Sequence, residues 1–95
     1  MPLGEGIRRL IASLGLETRL LEHRVLRLWA DVATELAGPA VAQETRPEAI
    51  RRGELLISVR RDALRHRLLF DRERIRKQLN RAVGREVVRS IRFVK

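Results

Sequence analysis

Arginine is the residue type through which this chain could do chemistry. Nineteen of its twenty-one cations are Arg, and most of them lie in one half. Residues 1–45 hold five Arg and six acidic residues, a net charge of −1, whereas residues 46–95 hold sixteen Arg or Lys and six acidic residues, a net of +10. Guanidinium groups bind phosphate oxygens in pairs, and cations held near a polyanion release its condensed counterions. Six acids cannot neutralise sixteen bases, so the second half is expected to draw nucleic acid with an outward positive field. A solvated basic surface laced with Arg–Glu pairs would need the two signs in comparable number. A GC-rich genome or a heat-adapted ion-pair network would also favour Arg over Lys, so the bias alone does not name the ligand.

Acid–base and metal chemistry have little to work with. The imidazoles are His23 and His66, each beside an Arg, and Asp62 four residues before His66 is a pair common on helix surfaces. There is no cysteine, P-loop, glycine-rich dinucleotide turn or nucleophile elbow. The expectation is a protein that is not an enzyme and takes no metal or cofactor. Any ATP-driven role would need a partner that hydrolyses the nucleotide.

Ninety-five residues with 44% hydrophobic content suffice for one domain, residues 1–95, with a single core. No apolar run approaches the roughly 20 residues that span a bilayer, and MPLGEGIRRLIASLG meets charge before a signal-peptide core can develop. A cytoplasmic protein without membrane contact is expected.

The elements follow from periodicity. Leu3, Ile7, Leu10 and Leu14 recur at helical spacing and Gly15 is placed to end that helix; Leu21, Val25, Leu28, Trp29, Val32 and Leu36 predict a second helix over 17–37, ended by Gly38-Pro39. The segment 40–50 reads as extended, with Pro47 demanding an edge strand or a bulge. Arg52-Gly53 reads as a turn, and Leu55, Ile57 and Val59 alternate with Leu56, Ser58 and Arg60 as in a strand with two different faces. A third helix is predicted over 62–83, with a core stripe of Leu64, Leu68, Ile75, Leu79 and Ala82 and a stop at Gly84. A last strand over 87–94 completes an α+β order, α-α-β-β-α-β.

Candidate contacts follow from those placements. Arg61, Arg65, Arg72 and Arg76 line one border of the third helix, and with Arg51 and Arg52 at the turn and Arg60 on the following strand they form the first-choice phosphate patch. Phe70, between Arg67 and Arg72, is a candidate for stacking on a base, whereas Trp29 and Phe93 read as core. The alternate strand face, with Leu56, Ser58, Arg60, Ser90 and Arg92, could dock a protein partner or a second copy.

The run from Trp29 to Val32, Gly38-Pro39, Thr45-Arg46-Pro47, Gly53-x-Leu55-x-Ile57-x-Val59, Leu64, Leu68, Leu79-Asn80, Gly84 and Ile91-Arg92-Phe93 resembles the bacterial DciA family over about residues 16–94. The resemblance implies a KH-like domain, with helices on one side of a three-stranded sheet, that binds DNA and acts with the replicative helicase as its loader or operator. Single-stranded or forked DNA is then the expected ligand. An RNA-binding KH-like module and a protein-interaction adaptor are the alternatives. Against the family pattern, the chain has about one extra turn between Trp29 and Gly38, Glu44 where His is frequent and Leu64 where Trp is frequent. It carries no G-x-x-G, the loop with which nucleic-acid-binding KH domains clamp a backbone, and it stops just past the last strand. Helicase contact is therefore expected on the folded domain, and nothing in the residues specifies an oligomeric state.

Overall fold

In the computed structural model, which describes residues 3–95, Gly15 does not divide two helices. One helix, α1, runs over Leu3–Ala37, and a five-residue helix, α2, follows over Pro39–Gln43. A lone glycine in a helix interior costs only about 1 kcal/mol relative to Ala, too little to stop a helix flanked by good formers. Thr18 also returns its hydroxyl to the Leu14 carbonyl (3.0 Å), bridging the glycine. The stop is Gly38, with φ of 100°, followed by Pro39, whose missing N–H costs nothing at the start of a new helix. The expected order α-α-β-β-α-β holds, with the helix break at residue 38 instead of 15 and residues 40–43 helical instead of extended. Met1, Pro2 and the side chains of Leu3 and Ala12 lie outside the described residues, and the expected place of Leu3 on the first stripe goes with them.

Only the second half of α1 is packed. Val25, Trp29, Val32 and Ala33 are buried, whereas Ile7, Leu10, Ile11 and Leu14, earlier on the same helix, are 48–63% exposed. Thirty-five residues make a helix about 52 Å long, which accounts for the 59 Å long axis of a molecule only 22 and 19 Å across otherwise.

The sheet has order β1-β2-β3, with β1 Thr45–Arg51, β2 Glu54–Val59 and β3 Ser90–Val94. Strands β1 and β2 are antiparallel through a two-residue turn in which Arg52 (φ 52°) and Gly53 (φ 81°) both take the left-handed conformation that matches hairpin twist. Strand β3 pairs parallel with β2, as expected of a strand reached through a helical crossover. Leu55, Ile57 and Val59 on central β2 are fully buried, with Ile91 and Phe93 beside them. At Pro47, on edge strand β1, the ladder slips by one residue, so that Pro47 faces Ile57 and Ala49 faces Leu56.

The third helix, α3, runs over Asp62–Val83 and ends at Gly84 in the left-handed conformation (φ 81°), as expected. Its buried stripe is Leu64, Leu68, Ile75, Leu79 and Val83; Ala82, expected in that stripe, is exposed. The reason is the returning chain after Gly84, which covers the side of α3 that carries Arg76, Asn80 and Val83. Asn80 Oδ1 accepts from the N–H groups of Val87 (3.0 Å) and Val88 (2.8 Å), and its Nδ2 donates to the Val88 carbonyl (2.9 Å). Those bonds also explain why β3 begins at Ser90 and not at Val87: the backbone of 87–88 is already spent on a side chain.

Trp29 is the centre of the core, wholly buried with its ring tilted 58° against Phe93 at 6.4 Å. Its Nε1–H donates to the Thr45 hydroxyl (2.8 Å), which in turn donates to the Ala42 carbonyl (3.2 Å). Thr45→Val keeps the shape and strands the indole N–H, so the denaturation midpoint should fall by the equivalent of about 1–3 kcal/mol with an unchanged slope. Trp29→Ala should cost about 3–5 kcal/mol. Combining Trp29→Phe with Thr45→Val should be milder than the single changes predict together, because no indole N–H is then left unpaired.

Candidate nucleic-acid interface

The ion pairs divide the cations of the second half into two groups. Arg61, Arg65, Arg74, Arg76, Arg85 and Arg92 each meet a carboxylate within 4.0 Å. The other ten of the sixteen have no such partner among the described residues, and Arg46, Arg51, Arg52, Arg60, Arg67 and Arg72 are exposed members of that group.

The structure does not gather the arginines of the sequence-derived patch into one cluster. Arg51 and Arg52 stand at the hairpin turn, and Arg60 and Arg61 stand past the other end of β2, a strand of six residues and about 20 Å. Arg65 donates to the Val59 carbonyl (3.0 Å) and pairs with Asp62, stapling the start of α3 to the end of β2. Arg76, with a side chain only 15% exposed, bonds Glu73, Glu86 (3.3 Å) and the Val88 carbonyl (3.2 Å), and so reinforces the Asn80 clasp. The Arg76 bond holds the Glu73 carboxyl below its usual range, and Glu73 in turn raises the Arg76 guanidinium. Because Glu73 is depressed, the contact is complete at neutral pH and is lost on acidification through and below the ordinary carboxylate range. Arg72 is exposed, and Arg61 pairs across the surface with Glu44.

Two clefts lie at opposite ends of the hairpin. The first, about 410 Å³, is lined by Gln43, Glu44, Thr45, Arg46, Ser58, Arg60 and Arg61, where α2 ends and β1 begins. It holds three guanidinium groups against one carboxylate, and that carboxylate is turned to Arg61. The second, about 380 Å³, sets Arg52, Arg85 and Arg89 against Glu22 and Glu86, with Glu17 also paired to Arg85 (3.1 Å). The first cleft therefore has the stronger uncompensated field. Arg60 and Arg61 in it were legible as candidates; Arg46 was not, because an unbroken ladder counted back from the Arg52-Gly53 turn would set it opposite Val59 on the core side. The slip at Pro47 turns it to the open face beside Ser58, and Pro47 was the one signal of that slip.

Leu56, Ser58, Ser90 and Arg92, expected to form a docking face, lie on one face of the sheet. Leu56 is paired with Arg92, Ser58 with Val94 and Glu54 with Ser90, all on the sheet face that no helix covers. Leu56 and Ser58 are half-buried, Ser90 and Arg92 are exposed, and Arg92 reaches Glu54 at 3.3 Å. Phe70 stands far from that face, on the solvent side of α3. Among the described residues no cluster of three His, Asp or Glu is placed to hold a metal ion, and no helix is long and apolar enough to cross a membrane.

An α+β domain with helices on one sheet face, an open face opposite and a basic cleft at the hairpin's end is a KH-like protein. Comparison with known proteins places it further. The family model described as "Dna[CI] antecedent, DciA" matches residues 2–93, and the chain belongs to the DciA family. UPF0232 proteins of Mycobacterium tuberculosis and Mycobacterium bovis are 31% identical to it over 92 residues, covering 97% of this chain and 47% of theirs. The chain thus spans about half the length of the curated relatives it matches.

Because Arg76 is spent on the clasp and Arg72 is not, the two should behave differently on neutralisation. Arg76→Gln should lower the melting temperature by about 4–8 °C, whereas Arg72→Gln should leave it within about 2 °C in the same thermal melts.

Proposed function

We propose that this chain is a DNA-binding accessory domain of replication that holds single-stranded or forked DNA through its phosphates and recruits, or helps to load, the replicative helicase. Family membership supports the replication setting. The observation that carries the DNA contact is the cleft at the end of the hairpin, where Arg46 and Arg60 face solvent and meet no carboxylate among the described residues. Guanidinium forks aimed from a fixed strand pair grip phosphate oxygens without reading sequence. Arg61 extends the cleft, Arg72 lies further along α3, and Arg51 and Arg52 offer a second contact at the hairpin turn.

The open sheet face is the proposed docking surface for the helicase. Leu56 and Val94 give it an apolar centre, and Arg92, Ser58 and Ser90 give it a polar rim. That same face favours the second reading, a protein-interaction adaptor for which nucleic acid is incidental.

Fluorescence anisotropy with single-stranded DNA, duplex DNA and RNA of equal length tests the first part. Affinity for single-stranded DNA should fall with salt at a log–log slope of about −3 to −4, as for four to six neutralised phosphates. Arg46→Gln with Arg60→Gln should weaken all sequences alike and reduce the slope by about 1.4, the share of two phosphates. A slope near zero sinks the electrostatic mechanism, and RNA bound tenfold more tightly than DNA makes the domain an RNA-binding module. For the second part, Arg92→Glu should abolish capture of the host's replicative helicase in a pull-down while the melting temperature stays within about 2 °C. Capture that survives the change moves the docking site to α3; capture without DNA binding establishes the adaptor.

A further inference from the structure

The outer face of α3 carries a second surface that the cleft and the open sheet leave unused. From the adjacent pair His66 and Arg67, the residues Phe70, Arg74, Lys77 and Arg81 follow at three- and four-residue steps on the side away from the buried stripe, and all are exposed. That row holds four cations, an imidazole and an aromatic ring, and the carboxylates beside it, Asp71 and Glu73, are drawn to Arg74 and Arg76. Arg74 is drawn aside to the Leu36 carbonyl (3.1 Å) and Asp71 (3.6 Å). Arg67, Lys77 and Arg81 have no carboxylate partner among the described residues. Phe70 is 80% exposed, whereas Trp29 and Phe93 are buried. Phe70 meets His66 edge to face at 5.4 Å and 85°, a contact that leaves most of the ring in water.

We infer that this face is a base-stacking site for single-stranded nucleic acid, with one base laid on Phe70 and the phosphates on either side held by Arg67, Lys77 and Arg81. It rests on the nucleic-acid binding proposed above and adds to it the means of choosing unpaired strands. Every base offers a flat π-face, so stacking on an aromatic ring is strong and indifferent to sequence. A helical rise of 1.5 Å per residue puts Arg67 about 4.5 Å and Lys77 about 10 Å along the axis from Phe70, within reach of the phosphates flanking a stacked nucleotide. An apolar helix docking here would find only Phe70 and its neighbour Leu69 to bury, set among cations that it would have to desolvate. A duplex keeps its base faces inside the stack and must be opened before one can reach Phe70.

The test is anisotropy with the whole chain, unmutated and as Phe70→Ala and Phe70→Trp, against three ligands. These are a mixed-sequence single strand, a duplex of the same length and an abasic strand of the same length and charge. Phe70→Ala should weaken single-strand binding about 5- to 100-fold. It should leave duplex affinity, abasic-strand affinity and the salt slope unchanged, and Phe70→Trp should keep the unmutated affinity. An unchanged thermal melt shows that the exposed position has been altered without harm to the fold. Phe70→Ala that binds the single strand as tightly as the unmutated chain refutes the stacking site while nucleic-acid binding stands. So does a variant that loses duplex and abasic affinity in equal measure. If the unmutated chain binds none of the three ligands, both readings fall together.

Discussion

The hydrogen bond from the Trp29 indole to the Thr45 hydroxyl constrains the strand on which the cleft is built. A buried indole N–H must find an acceptor, and the acceptor stands at the first residue of β1. Had the hairpin ladder run unbroken from its two-residue turn, Thr45 would face the open side and Arg46 would point into the core opposite Val59. An unpaired guanidinium there would be prohibitive. One extra residue at Glu48 resolves both demands: it brings Thr45 opposite Val59 on the buried side and Arg46 opposite Ser58 on the open side. Pro47 makes the slip inexpensive, since it has no N–H to lose from the ladder, and the edge position of β1 leaves no further strand to disturb.

The arginines serve two ends within the same short segment. Arg65, Arg74 and Arg76 reach backbone carbonyls as well as carboxylates, and each ties α3 to another part of the chain: the end of β2, the end of α1 and the loop before β3. The fork of the guanidinium suits this task, because one group can satisfy two acceptors in different directions. Arg76 and Asn80, one turn apart, together hold the Val88 carbonyl, so the return of the chain toward β3 is fixed by side chains where strand pairing has not yet begun. The cations that meet no carboxylate among the described residues contribute most of the outward field.

The layering separates the possible surfaces. Helices α1 and α3 cover one face of the sheet, which leaves the other face bare and turns the outer side of α3 to solvent on the far side of the molecule. A protein bound on the sheet and a strand bound along α3 would not compete for space. The first cleft lies at the end of the hairpin, where β2 hands over to α3, and adjoins the open face through Arg46 and Ser58.

Much of this was legible in the residues themselves. The class, the element order, the turn at Arg52-Gly53, the alternation of β2, the span of α3 and the irregularity at Pro47 all follow from local rules, because each depends on neighbours within one turn or one strand. The resemblance to the DciA family was equally visible in the chain. Local rules misjudged Gly15, where a weak breaker met a strong helix, and Ala82, where the covering loop and not the period chose the buried side. They also overran the start of β3, since Asn80 claims backbone groups that strand propensity would assign to the sheet. For the candidate site, sequence placed the excess charge in the second half, named Arg60 and Arg61, which line the first cleft, and grouped Leu56, Ser58, Ser90 and Arg92 on one face. It did not distinguish Arg72, which meets no carboxylate among the described residues, from Arg76, which is spent, nor did it single out Arg46. Net charge is a sum over residues and survives any fold. Which cations remain available depends on what each one meets in space, and that was decided only when the register slipped, the loop returned and the nearest acceptors made their claims.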